Sequence, residues 1–245
     1  MKDPVADLLR ALEGGPVQPV YLIHGDLVLA EPAAKRLAEA IAATAGCHLD
    51  ERRRPERLAP VLDDLRTFSL FEPAKVVLVV DSAVLADREA AAGLIDQAEQ
   101  GLPAPAGGEL PAKARQAASR LLQALRLFDL DVVAGDPADL LERLPDWVFA
   151  GAKKSGGRQR ARGKKQVRDL REGLAALLVA AREAGLVGWA EGETALLGEV
   201  IHDGLPANHC LVLAERSVAN DHPLVQALRE RKAVAALGAS GVLNI

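Results

Sequence analysis

The chain has 245 residues, is 49% hydrophobic and carries a formal net charge of −4, enough apolar content to bury a full core. Two cysteines, Cys47 and Cys210, lie far apart without a CxxC or Cys/His spacing, and the five histidines form no HExxH pattern, which argues against a disulfide framework or a zinc site. No apolar run reaches membrane length, and Met1 to Leu12 is charged and broken by Asp3 and Pro4, so neither a membrane span nor a signal peptide is predicted and the cytoplasm is the expected location.

Elements follow in chain order. Val20–Ile23 is a short apolar run that ends at Gly25, and a helical pattern is predicted from Pro32 to Thr44 with Ala33, Leu37, Ala40 and Ile41 on one face. A strand, a turn with glycine and a helix are the setting of a phosphate-binding loop, G-x-x-x-x-G-K-[S/T]. Aligned from Gly25, however, Ala30 takes the second glycine position, Glu31 the lysine position and Pro32 the hydroxyl position. A carboxylate there repels a triphosphate, and proline removes both the hydroxyl and an amide donor. The segment reads either as a phosphate loop that has lost its chemistry or as an ordinary strand–helix turn, with His24 as a structural turn residue. No bound cofactor is expected.

A weaker strand is predicted near Cys47–Arg52 and a helix over Arg57–Thr67, apolar at Leu58, Val61, Leu62 and Leu65. A second clear strand covers Val76–Val80. Beyond it, Gly101–Pro111 is a connector rich in proline and glycine, Ala112–Leu127 an amphipathic helix, Leu127–Ala134 a further strand and Pro137–Leu144 a short helix. Trp147 and Phe149 read as packing anchors. Val167–Ala184 is a long helix with Leu170, Leu174, Leu177 and Leu178 on its apolar face. Strands at Cys210–Leu213 and Ala233–Leu237 flank a helix over Pro223–Lys232. Strands that are nearly continuous in apolar residues and alternate with helices predict an α/β domain, a parallel sheet with helices on both faces, carrying an insertion at about 101–187.

Charge is unevenly spread. Lys153, Lys154, Arg158, Arg160, Arg162, Lys164, Lys165 and Arg168 form an acid-free stretch of eight cations, and the rest of the chain therefore carries −12. With Gly156, Gly157 and Gly163 and no apolar periodicity, 153–168 is predicted to be a mobile basic loop, either a solvated surface or a DNA-phosphate contact through Lys153, Lys154, Arg158, Arg160, Arg162, Lys164 and Lys165.

Three blocks, PVYLIHGDLVLAEPAAKRLAEAI, LRTFSLFEPAKVVLVVDS and CLVLAERSVANDHPLVQALRERKAVAAL, occur in this order. Together they resemble the N-terminal AAA+-like domain of the delta subunit of bacterial DNA polymerase III, the clamp-loader subunit that opens the sliding clamp. The resemblance covers about 80 residues, and it implies a three-layer fold of the P-loop NTPase type without ATP hydrolysis. It places Asp81 at the Walker B aspartate, with Ser82 in place of the acid that would activate water. It assigns Leu70 and Phe71, in the Ser69-Leu70-Phe71 step, as apolar anchors that enter a pocket of the clamp. The residues alone favour a core role there, closing the turn into the following strand. The implied partners are the sliding clamp and the other clamp-loader subunits; DNA is a candidate partner through the basic loop alone, and no membrane is expected. The insertion is longer than this family leads one to expect, and the lid and collar domains expected of it are absent from this chain. Two other readings stand beside it. One is a small α/β enzyme acting on a nucleotide or phosphorylated substrate through His24, Asp26 and Asp81 at the strand ends; the other is a DNA-binding protein acting through the basic loop.

Overall fold

The computed structural model describes residues 5–67, 73–105, 110–151, 162–186 and 193–238. It divides into two compact units, one made of 1–85 with 191–245 and the other of 86–190.

The first unit runs α1 (Ala6–Gly14), β1 (Val20–Gly25), α2 (Leu27–Ala45), β2 (Leu49–Arg53), α3 (Ala59–Arg66) and β3 (Lys75–Val80). After the second unit it resumes with α8 (Glu193–Asp203), β4 (His209–Glu215), α9 (Pro223–Glu230) and β5 (Val234–Leu237). The five strands form one parallel sheet in the order β2-β3-β4-β1-β5. All seven residues of β4 are buried, as are Val76–Val80 of β3 and Val20–Ile23 of β1. A strand packed on both faces needs apolar side chains at successive positions, which is the pattern these three carry. β2, at one edge, instead carries exposed Glu51, Arg52 and Arg53, the charged type of strand that discourages pairing with another chain.

The order of strands dictates where the helices go. The chain moves from β1 across to β2, then returns through β3 and β4 to β5. Right-handed crossovers therefore put α2 on one face and the later helices on the other. α2 packs on β1, β3 and β4, while α3 and α9 pack on the sheet elsewhere and α8 on both of them. The unit is thus a three-layer, P-loop-like α/β fold, as the alternation of strands and helices predicted.

The second unit is helical, with α4 (Ala91–Glu99), α5 (Ala112–Arg126), α6 (Pro137–Glu142) and α7 (Lys164–Glu183). α4 packs on α5, and α7 on α5 and α6. It starts at residue 86 rather than near 101, since α4 belongs to it. Three expectations change here. Leu127–Ala134 is not a strand: Asp129 adopts a left-handed backbone, and the Asp131 carboxylate accepts the Val133 and Ala134 amides. Arg182 from α7 then donates to the carbonyls of Val132, Ala134 and Gly135, fixing the segment as a loop. Trp147 is 45% exposed and leans on Phe128 with ring centroids 6.2 Å apart, whereas Phe149 is buried as predicted. Finally, α7 begins at Lys164, so Lys164, Lys165 and Arg168 lie on a helix rather than a loop. The Gln166 side chain accepts the Gly163 amide, and Leu170, Leu174, Leu177 and Leu178 supply the buried face that holds the helix down.

Candidate functional site

In parallel α/β sheets, ligands bind beyond the carboxyl ends of the strands. The residues there decide what this fold can do.

At the end of β1, Gly25 has φ of +134°, and a Cβ built on it would lie 1.5 Å from the Leu237 carbonyl oxygen of β5. The Asp26 amide donates to that same oxygen at 3.0 Å. Glycine is thus required by the close approach of β5. Helix α2 then starts at Leu27, five residues before the predicted Pro32, because Asp26 caps it. Its Oδ1 accepts the Val28 amide at 3.1 Å, and its carbonyl accepts the Leu29 and Ala30 amides. A single residue separates strand from helix, too few to form a cradle of amides around a phosphate. Ala30, Glu31 and Pro32 all lie within α2. Ala30 is fully buried, Glu31 is ion-paired with Arg53 at the end of β2, and Pro32 sits in the second turn, where it takes one amide out of the helical ladder.

At the end of β3, Asp81 is 2% exposed and has a left-handed backbone with φ of 59°. Its Oδ2 accepts Arg54 Nε at 2.9 Å and its Oδ1 accepts Arg216 Nε at 3.1 Å. Arg54 follows β2 and Arg216 follows β4, so one carboxylate ties three adjacent strand ends together. Asp81 is thus the centre of a buried ion network. Next to it Glu215, the last residue of β4, accepts Ser82 N at 3.1 Å, Ala83 N at 2.8 Å and the Ser82 hydroxyl. Burial pushes the Glu215 carboxyl up to about 7; the Ser82 and Ala83 donors oppose that and the Asp81 charge adds to it. Ser82, at the position where the resemblance lacks an activating acid, is therefore a hydrogen-bond donor to a buried carboxylate.

His24 is part of β1 rather than a turn residue, and burial, then the Arg229 charge, lowers its pKa. Asp26 is committed to the α2 cap and Asp81 to its arginines, so His24, Asp26 and Asp81 do not assemble a nucleophile with a base. Among the basic residues, Arg162 is not a surface cation. Its guanidinium donates to Asp96 at 2.7 Å, to Glu99 at 2.5 Å and to the Phe149 carbonyl at 3.0 Å. Lys164 and Lys165 are exposed at the start of α7. Lys153, Lys154, Arg158 and Arg160, like Leu70 and Phe71, lie outside the described residues. Sequence reasoning missed Arg54, Arg216 and Glu215. The signal for Glu215 was present, since an acid closes the buried run HCLVLAE; nothing local marks the two arginines.

Among the described residues no helix is long and apolar enough to cross a membrane, and no His, Cys, Asp and Glu cluster could hold a metal ion. Comparison with protein families, with curated proteins and with solved structures finds no match. The class of protein is therefore defined by the fold and the site: a three-layer, P-loop-like α/β unit whose strand-end charges are engaged with one another.

Proposed function

We propose that this chain is a non-catalytic, protein-binding subunit of the clamp-loader delta type, which binds a sliding clamp and favours its opened form during DNA replication. The observation that carries the reading is the commitment of the acidic groups described at the phosphate end of the sheet: Glu31 to Arg53, Asp81 to Arg54 and Arg216, Glu215 to Ser82 and Ala83. A scaffold of this fold without phosphate chemistry acts by differential binding, holding one state of its partner better than the other. Leu70 and Phe71 are the anchors in this reading, two apolar side chains suited to filling a pocket. Other loader subunits and DNA are its further partners, with Lys164 and Lys165 exposed for phosphate contact and Arg162 excluded from that role by its ion pairs.

The test is capture by an immobilised sliding clamp of wild type and of Leu70→Ala/Phe71→Ala. Binding by the wild type and loss in the double variant, with an unchanged melting temperature, is the expected result. A large fall in melting temperature would place both residues in the core and remove their part in the reading, since deleting buried Leu or Phe side chains costs about 2–5 kcal/mol each.

A further inference from the structure

Trp147 is fixed by its neighbours yet left nearly half exposed. It lies in the single turn Asp146–Phe149, where Val148 and Phe149 are fully buried and the Val148 amide donates to the Pro145 carbonyl. Its ring leans on half-buried Phe128, which Arg88 holds in turn. The Arg88 guanidinium carbon stands 5.4 Å from the Phe128 ring centroid, and the side chain donates to the Leu127 carbonyl and to Asp129, both at 2.9 Å. The indole is therefore a supported aromatic face open to solvent.

Cations of α7 reach the same turn. Arg171 donates to Asp146 at 2.9 Å and places its guanidinium carbon 4.4 Å from the Phe149 ring centroid, which ties α7 to the turn on both sides of Trp147. Lys164, Arg168 and Arg171 recur at i, i+4 and i+7, so they share one face of the helix over about 10 Å. That face runs from the Trp147 turn out to two exposed cations, Arg168 and Lys164. Arg168 is 70% exposed and meets Asp169 and Glu172 only at 3.8 and 3.7 Å, weak surface pairs that a phosphate can displace. Asp146, the acid of the turn, is already paired with Arg171.

We propose that this face of the second unit binds single-stranded nucleic acid, with a base stacked on Trp147 and adjoining phosphates met by Arg168 and Lys164. An exposed indole accepts any base, because every base has a π-face, and the cations follow the backbone without reading sequence. A duplex keeps its bases inside the stack, so only a single strand offers both partners. This role is independent of the delta-type reading, since it needs neither the clamp nor Leu70 and Phe71.

The experiment follows binding of short labelled oligomers to the full chain by fluorescence anisotropy. A thymidine oligomer should bind, and Trp147→Ala should weaken it about tenfold, the scale of one lost base stack, without moving the melting temperature. Trp147→Phe keeps a ring and should retain most of the affinity. An abasic oligomer of equal length should bind the wild type about tenfold more weakly than thymidine and should not sense Trp147→Ala. Lys164→Gln/Arg168→Gln should reduce the salt slope of thymidine binding by about 1.4, two contacts at about 0.7 each. A uridine oligomer should match thymidine within about threefold, since neither contact reads the 2′-hydroxyl. Equal binding of the thymidine and abasic oligomers by the wild type overturns the stacking role, and that comparison needs no variant to fold. An unchanged salt slope in the double variant overturns the phosphate contacts, and a strong preference for one sugar overturns the two-contact account. Tighter binding of a duplex, or binding of no oligomer, overturns the nucleic-acid role altogether and leaves Trp147 to a protein partner. Capture by the sliding clamp is measured separately, so failure here leaves the delta-type reading standing.

Discussion

Glu215 allows the stability of the first unit to be worked out as a function of pH. Its carboxyl has an ordinary value of 4.5 and is raised to about 7 in the fold, with burial the largest cause. A raised value means that the folded state holds its proton where the unfolded chain has already released it. Between about 4.5 and about 7 the native state therefore binds more protons, and stability falls as pH rises through that window. At about 1.4 kcal/mol per pH unit, the displacement is worth about 3 kcal/mol in full, most of it lost between pH 5 and pH 8. The hydrogen bonds from Ser82 and Ala83 are already included in this balance, since they lower the value that burial raises. The assay is urea unfolding of wild type and Glu215→Gln at several pH values. The amide is neutral throughout; its single oxygen can accept from Ser82 or from Ala83 but not from both, a loss that is the same at every pH. Other titrating groups are common to both proteins, so the difference between them isolates Glu215. That difference should move by about 2–3 kcal/mol in favour of the variant from pH 5 to pH 8. Parallel curves for the two proteins would refute the reasoning, showing that the three donors hold the carboxylate ionised despite its burial.

Gly25→Ala should destabilise the first unit by roughly 3 kcal/mol or more, because the added carbon meets the Leu237 carbonyl and the backbone is one that L residues avoid; a thermal melt measures it, and a shift within error would discount the β5 contact. Asp81→Asn should cost about 1–3 kcal/mol in denaturant unfolding, below the usual figure for a broken buried pair because the Arg54 and Arg216 side chains are 26% and 48% exposed and retain some hydration. Titration with Mg-ATP should give no binding heat, since Glu31 faces Arg53 and the single residue between β1 and α2 leaves no phosphate cradle; micromolar affinity would instead revive the enzyme reading.

Much of the fold was legible in the sequence because burial on both faces leaves a local mark. The runs at Val20–Ile23, Val76–Val80 and Cys210–Leu213 were continuous enough to identify three central strands, and the spaced leucines of α7 identified a long helix. Even the weak strand near Cys47–Arg52 appeared where β2 lies. Where prediction went astray, long-range contacts overrode local preference. Leu127–Ala134 has the composition of a strand, but the three carbonyl contacts from Arg182 hold part of it as a loop. Pro32 suited a first helical turn, yet Asp26 capped the helix a turn and a half earlier, and α2 tolerates proline inside it.

By itself the sequence determined that this chain folds around a buried parallel sheet and that Ala30, Glu31 and Pro32 are the wrong residues for phosphate chemistry, since both statements depend on residue type and short spacing. Only the tertiary structure decided why Gly25 is a glycine and what Asp81 and Glu215 do. Each of those answers lies with a partner distant in the chain: Leu237 for Gly25, Arg54 and Arg216 for Asp81, Ser82 for Glu215. Hydrogen bonds and ion pairs act over about 3 Å in space with no regard to sequence separation, so a buried polar group leaves no period or motif by which its partner can be read.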